Sequence, residues 1–183
     1  MTAEENINGY FWNKRAVAGH PEEANLKRYG VPGQWYNWGL HHARFDIGKE
    51  PNEPNRFGWI VEVDPFDPAS APIKRTALGR FKHEGAETLI NEDGRIVCYM
   101  GDDQRFEYVY KYVSHDRYDP GTREANRTLL DSGTLFVARF DADGSLTWMP
   151  LVHDPGPLTE QNGFFSQADD GPGLRDTDQQ HRA

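Results

Sequence analysis

The chain has 183 residues with 20 basic and 29 acidic side chains, giving a formal net charge of −9. This charge repels phosphate groups, so it argues against nucleic acid as a partner, and against small phosphate substrates unless bound cations reverse the local sign. No apolar run approaches the roughly 18–20 residues that a membrane-spanning helix needs, so no membrane-embedded segment is predicted. The 18 glycines and 12 prolines favour an all-β, loop-rich fold over a helical bundle.

The first third of the chain is predicted to be irregular and rich in aromatic residues. Aromatic side chains cluster at residues 10–12 and 35–38, among glycines and prolines that favour turns. One short helix is predicted over residues 21–29, because Pro21 suits a first helical turn and acidic residues follow it. Gly30 is then a suitable residue for the end of this helix.

From about residue 56 onward, the pattern predicts β-strands. The strand segments are residues 58–64, 76–82, 87–90, 95–100, 106–112, 134–140 and 145–151. Asn-Glu-Asp-Gly at 91–94 and Asp-Ala-Asp-Gly at 141–144 predict hairpin turns. The segments between residues 58 and 113 are grouped as four strands, and a second set of strands begins at residue 134. A four-stranded unit of this length has the size of a β-propeller blade. A sandwich or a half-barrel would give the same local signals.

Three acidic clusters are candidate sites for hard cations such as Ca²⁺ or Fe³⁺, which prefer oxygen ligands. The first contains Glu5, and its alternative is an exposed acidic terminus. The second contains Glu84, with His83 or Lys82 as candidate phosphate contacts, and its alternative is a solvated strand edge with surface ion pairs. The third contains Asp102 and Asp103, which could instead cap a turn.

Other common catalytic patterns are missing from the sequence. No histidine or cysteine spacing typical of zinc sites is present, and neither a Gly-x-Ser-x-Gly elbow nor a phosphate-binding loop occurs. The single cysteine, Cys98, excludes an intramolecular disulfide and lies in an apolar run, which predicts a buried core thiol.

Several longer motifs resemble those of the PhoX-type alkaline phosphatases, a family of secreted bacterial enzymes. The similarity extends from residue 2 to about residue 169. The matching segments include Glu4-Glu5-Asn6, Pro51-Asn52-Glu53-Pro54-Asn55-Arg56-Phe57-Gly58-Trp59, Lys82-His83-Glu84-Gly85-Ala86, Tyr99-Met100-Gly101-Asp102-Asp103 and Arg105-Phe106-Glu107-Tyr108-Val109-Tyr110-Lys111.

This resemblance implies a β-propeller enzyme that hydrolyses phosphomonoesters at alkaline pH with a cluster of ferric iron and calcium ions. By position in the motifs, Glu5 and Glu84 correspond to metal ligands of the family. Asp102 and Asp103 remain weaker candidates to which the resemblance gives no role. The family's members usually reach the periplasm or the exterior through the twin-arginine route.

The chain also departs from the family pattern. A tract with an iron-binding cysteine precedes the Glu-Glu-Asn motif in the family, and Cys98 does not lie in such a tract. A family Arg-Pro-Glu segment lies beyond the matching region. The sequence therefore predicts a partial β-propeller, with a truncated phosphatase domain over residues 1–169 and a divergent, disordered tail over residues 170–183. No signal peptide is visible, so the chain as written is expected to be cytoplasmic.

The leading functional prediction is a metal-dependent phosphomonoester hydrolase fragment, monomeric when folded, that acts by metal-assisted phosphoryl transfer to water. One alternative is a non-catalytic propeller fragment that binds calcium or a partner, or an inactive gene remnant. Another is a small β-domain that binds carbohydrate through Trp35, Tyr36 and Trp38.

Overall fold

The computed structural model describes residues 1–153, 158 and 159, which form two compact units. One unit contains Met1–Ala3 and the described residues from Trp59 onward, and the other contains Glu4–Gly58. The predicted domain boundary at residue 169 and the predicted tail both lie outside the described residues. Within the described part, no helix combines the length and apolar character that crossing a membrane requires.

The first unit is built from two antiparallel sheets. The smaller sheet has the order β1-β2-β3 and the larger is a five-stranded meander in chain order. The strands are β1 (Thr2–Ala3), β2 (Ile60–Glu62), β3 (Ile73–Lys74), β4 (His83–Ile90), β5 (Arg95–Asp102), β6 (Val109–Arg117), β7 (Gly133–Phe140) and β8 (Leu146–Pro150). Two single-turn 3₁₀ helices, Thr76–Leu78 and Glu124–Asn126, lie in the connections.

The two predicted hairpin turns connect β4 to β5 and β7 to β8. Gly94 and Gly144 both have φ of 85°, a left-handed conformation that glycine adopts without steric cost. In the first turn the Asn91 amide donates a hydrogen bond to the Arg95 carbonyl at 2.8 Å. In the second, the Asp141 amide donates to the Ser145 carbonyl at 2.9 Å. Both predicted hairpins are therefore confirmed.

One face of the five-stranded sheet forms the core of this unit. Alternate residues of β5, β6 and β7 point to this face and pack against Ile60, Leu78 and Phe81. The sheet residues are Cys98, Met100, Tyr110, Tyr112, Leu135 and Val137. Cys98 is fully buried, its Sγ accepts a hydrogen bond from the Thr88 hydroxyl at 3.5 Å, and burial raises the pKa of the thiol. The predicted core thiol is confirmed.

Three strand predictions differ from the structure. Residues 76–82 contain the 3₁₀ helix Thr76–Leu78 and then Gly79 with φ of 88°, so this segment turns instead of extending. Phe106 does not continue the strand, since it has φ of 69° and is 98% exposed. The strand from residue 134 pairs with β6, so it belongs to the same sheet and does not begin a second set. Local alternation predicts a strand, but it contains no information about which strand is the neighbour.

The second unit is mostly irregular, as predicted. It contains α1 (Glu23–Arg28), α2 (Trp38–His41) and short 3₁₀ helices at Ile7–Tyr10, Lys14–Ala16, Ala43–Phe45 and Glu53–Arg56. Its core consists of Phe11, Leu26, Tyr29, Val31 and Ile47. The helix predicted over residues 21–29 is confirmed with shorter bounds, and Gly30, with φ of 66°, follows its end.

Candidate functional site

Glu84 lies at one end of the five-stranded sheet, at the second position of β4. Pairing with β5 is irregular between His83 and Gly85. The Glu84 side chain is exposed and forms no hydrogen bond or ion pair with any described residue. It lines an open groove of about 480 Å³ in which Gly85 and Gly101 leave space above the strands. The carboxylate is therefore accessible to a cation or a ligand from solvent.

His83, the residue before Glu84, is completely buried. Its Nε2 lies 2.9 Å from the Gly79 carbonyl oxygen, and its ring centroid lies 3.6 Å from that of Phe81. Burial lowers the pKa of His83 to about 4, because the charged imidazolium loses its hydration in this apolar site. The ring is thus neutral at physiological pH and donates to Gly79. An enclosed ring has no access to a phosphate, so this structure does not support the predicted phosphate contact by His83.

Lys82 and the two aspartates lie at the same end of the sheet as Glu84. The Asp103 amide donates to the Lys82 carbonyl at 3.0 Å, and Asp102 is the register partner of His83. The Lys82 ammonium donates to the Gln104 side chain at 2.6 Å. Asp102 Oδ1 accepts the Gln104 amide at 2.9 Å, which is the turn-capping role considered for it. The Asp103 side chain is exposed.

Glu5 belongs to the other unit, just before the 3₁₀ helix Ile7–Tyr10. Its Oε1 accepts a hydrogen bond from the Asn6 side chain. The neighbouring Glu4 instead accepts the Gly58 amide at 3.0 Å through Oε2. The pKa of Tyr10 is raised first by partial burial, and then by repulsion from the ionised form of Tyr36 and from the Glu4 and Glu5 carboxylates. Both carboxylates are therefore close enough to affect the Tyr10 phenol.

The donor set matches the chemistry of hard cations only in part. Carboxylate oxygens are the ligands that Ca²⁺ and Fe³⁺ prefer, and Ca²⁺ takes roughly 6–8 of them. Among residues 1–153, 158 and 159, no group of three or more His, Cys, Asp or Glu side chains is arranged to hold a metal ion. The described residues therefore offer individual carboxylates but no complete coordination shell.

Sequence reasoning missed the structural importance of Arg75, which is 2% exposed. Its guanidinium donates to Glu62 at 2.8 Å, to Asp131 at 2.6 Å and to the Arg127 carbonyl at 2.7 Å. It also lines a cavity of about 150 Å³. The sequence gives no signal for this role, because the partners are 13, 56 and 52 residues away.

The five-stranded antiparallel meander, with exposed carboxylates at one end, is consistent with part of a β-propeller. A family model described as alkaline phosphatase PhoX matches residues 1–181. The chain belongs to the PhoX alkaline phosphatase family.

A solved structure similar to this chain is that of Pseudomonas fluorescens PhoX in complex with vanadate, a transition-state analogue. The two share 48% identity with a TM-score of 0.79, over 91% of this chain and 30% of that one. The chain thus spans about a third of that protein's length. No curated protein sequence matches it. The predicted family and the all-β, partial-propeller fold are confirmed.

Proposed function

We propose that the chain forms part of a phosphatase that hydrolyses phosphomonoesters with the help of bound metal ions. Glu84 is the observation that carries this proposal. It lies in the family motif, its carboxylate has no partner among the described residues, and it opens into a groove at the sheet end. Membership of an alkaline phosphatase family and the similarity to a PhoX protein in complex with vanadate, a transition-state analogue, support the same reaction class.

In this proposal Glu5 and Glu84 hold cations of the calcium and ferric iron type, and Asp102 and Asp103 are secondary candidates. When bound, such cations polarise phosphoryl oxygens and offset the negative charge that develops during transfer to water. The carboxylates of this chain position the cations. With cations bound to these carboxylates, a chain with net charge −9 can accept an anionic substrate. We expect the chain to act as a monomer.

The second candidate function is a non-catalytic propeller fragment that binds calcium. It needs no complete metal centre, and no three-donor metal cluster occurs within the described ranges. Isolated carboxylates bind Ca²⁺ weakly, because affinity rises with the number of ligands. The two candidates therefore differ in turnover and not in whether calcium binds.

The test combines calcium titration with an assay of a chromogenic phosphomonoester at alkaline pH, in the presence of Ca²⁺ and Fe³⁺. Glu84→Gln keeps the side-chain shape but removes the charged ligand, and we expect calcium affinity to fall about tenfold or more. Any turnover should fall with it. Glu87→Gln, on the same strand and the same groove, is the matched control and should change both by less than about twofold.

Equal effects of the two substitutions would contradict the assignment of Glu84. Calcium binding that depends on Glu84, without turnover in the unmodified chain, would favour the non-catalytic fragment. Turnover that survives Glu84→Gln would exclude Glu84 from the metal centre.

A further inference from the structure

A cavity of about 150 Å³ lies where residues 62–75 meet residues 123–127 of the connection between β6 and β7. Its lining includes five charged residues, Arg75, Arg123, Arg127, Glu62 and Asp64. It shares no lining residue with the groove at the end of the five-stranded sheet. We call it the arginine cavity, and it is separate from the proposed metal site.

The buried arginine of this cavity has more hydrogen-bond donors than acceptors that bind them. A guanidinium carries five N–H donors. Arg75 uses three of them, for Glu62, Asp131 and the Arg127 carbonyl. The other two N–H groups have no partner among the described residues, and the side chain is only 2% exposed. Because buried donors require acceptors, an acceptor inside the cavity satisfies them.

The acidic residues of the lining are already engaged and do not supply that acceptor. Glu62 accepts Arg75 at 2.8 Å, and Asp64 accepts a backbone amide at 2.9 Å through Oδ1 and Arg123 through Oδ2. Three arginines and two carboxylates leave one excess positive charge in the lining. Asp131 balances part of the Arg75 charge from outside the cavity. The cavity therefore suits a ligand with a single negative charge.

Arg127 can change its side-chain partner without disturbing the buried link. Its guanidinium lies 3.3 Å from Glu124, and the two side chains are 51% and 81% exposed. Exposed ion pairs of this kind contribute little stability, so an anion in the cavity can replace Glu124. Arg75 is bound by the backbone carbonyl of Arg127, which stays in place when the side chain turns.

One part of the lining is apolar. Ala71 and Ile73 also line the cavity, and Ile73 is 39% exposed. Covering an exposed aliphatic side chain with an alkyl group removes apolar surface from water, which is favourable. A carboxylate in turn matches the planar fork of a guanidinium through two parallel N–H···O hydrogen bonds. A short alkyl chain with one carboxylate therefore matches both parts of the lining.

We propose that the arginine cavity binds a small aliphatic monocarboxylate, with the carboxylate on Arg75 and Arg127 and the alkyl group on Ile73. The bound anion connects β3 to the connection between β6 and β7. This site requires neither a metal ion nor a phosphoester, so the inference is independent of the proposed phosphatase function.

The test titrates the full chain with butyrate, and separately with butyramide, which has the same shape but no charge. Binding of a ligand this small is expected in the millimolar range, so it is followed by NMR through the Arg75 Nε–H signal. We expect butyrate to shift this signal to saturation and butyramide to bind at least about tenfold more weakly. No metal ion or phosphoester is added, so loss of phosphatase activity has no effect on the result.

Arg127→Gln removes one guanidinium and keeps the backbone carbonyl that Arg75 requires. It should weaken butyrate binding about tenfold. Arg139→Gln is the matched control, because Arg139 is an exposed arginine paired with Asp141 and lies outside the lining. It should change the affinity by less than about twofold. Urea midpoints close to that of the unmodified chain show that both variants are folded.

Ile73→Ala tests the apolar part of the site. It should weaken butyrate binding about threefold and leave acetate binding unchanged, because acetate has no chain that reaches position 73. An equal loss for both acids would overturn the placement of the alkyl group.

Three results would overturn the proposal as a whole. The first is equal binding of butyrate and butyramide, and the second is an equal loss in Arg127→Gln and Arg139→Gln. The third is no shift with butyrate, which would mean that water alone satisfies Arg75. Inorganic phosphate or sulfate that binds more tightly than butyrate, and depends on Arg127, would overturn the choice of a monocarboxylate.

Discussion

At the scale of single residues, His83 shows how burial determines the role of a side chain beside a candidate ligand. Its ring packs on Phe81, and Nε2 donates to the Gly79 carbonyl, so it anchors the turn that precedes β4. Glu84 follows directly and is exposed. The buried ring therefore fixes the backbone from which the exposed carboxylate extends, without contacting solvent itself.

His83 predicts a pH dependence of stability. Its pKa is about 4 in the folded protein and about 6.5 in the unfolded chain. The unfolded chain therefore binds a proton first as the pH falls, so this contribution is complete above about pH 6.5 and is lost between pH 6.5 and 4. The loss amounts to about 3 kcal/mol, measurable as a fall in the urea midpoint.

His83→Gln is the matching variant, because its amide can still donate to the Gly79 carbonyl but does not titrate. Between pH 6.5 and 4, the urea midpoint of this variant should fall less than that of the unmodified protein. The difference should correspond to the stability that His83 loses over this pH range. Equal pH dependence in the two proteins would show that folding does not lower the pKa of His83.

At the scale of elements, the junction of β6 and β7 depends on a close approach of backbone to a ring. Gly133 begins β7, and a Cβ there would lie 2.5 Å from the Tyr112 hydroxyl oxygen. Tyr112 is fully buried, and its hydroxyl donates to the Leu129 carbonyl at 2.8 Å. The ring has no free space to move into, so the strand pairing requires a glycine at this position.

We expect Gly133→Ala to lower the free energy of unfolding by about 1–3 kcal/mol, the usual cost of overpacking a close-packed core. The added methyl group displaces the Tyr112 ring and strains its hydrogen bond. Denaturant unfolding gives the measurement. Gly101→Ala is the control, since a Cβ at Gly101 meets nothing within 4 Å, and its effect should stay within about 0.5 kcal/mol. Similar losses in both variants would contradict the packing argument.

At the scale of the whole molecule, Arg75 connects segments of the first unit that are distant in sequence. It links Glu62 of β2 to Asp131 and the Arg127 carbonyl in the connection between β6 and β7. The guanidinium is 2% exposed, while the side chains of Glu62 and Asp131 are 37% and 49% exposed. The cation is thus desolvated and requires all three acceptors, whereas water partly solvates the carboxylates.

Replacing Arg75 with methionine should lower the free energy of unfolding by about 2–4 kcal/mol, because three charge-assisted hydrogen bonds are lost together. Thermal or urea unfolding would measure this change. Arg123→Met is the comparison, since Arg123 pairs with Asp64 on the surface and its side chain is 64% exposed. Its loss should cost no more than about 1 kcal/mol. A smaller effect at Arg75 than at Arg123 would refute the linking role.

Some features of the candidate site could be predicted from the sequence, and others were visible only in the structure. The sequence motifs identified Glu5, Glu84 and the neighbouring aspartates as candidates, because charged residues at turns are visible locally. The burial of His83 and the stacking of Trp38 on Tyr10 were not predictable, since both depend on which segments pack together. Whether Glu5 and Glu84 act as ligands remains a prediction for the calcium titration.

The sequence alone determined the all-β class, both hairpins, the irregular aromatic region and the family, because turn residues, alternation and motifs are local properties of the chain. Only the tertiary structure decided that the strand from residue 134 joins β6, that residues 76–82 turn, and that Arg75 is a buried link. These features depend on contacts between residues far apart in sequence. Such contacts are set by the burial of shared apolar surface and the pairing of buried charge, which local patterns do not encode.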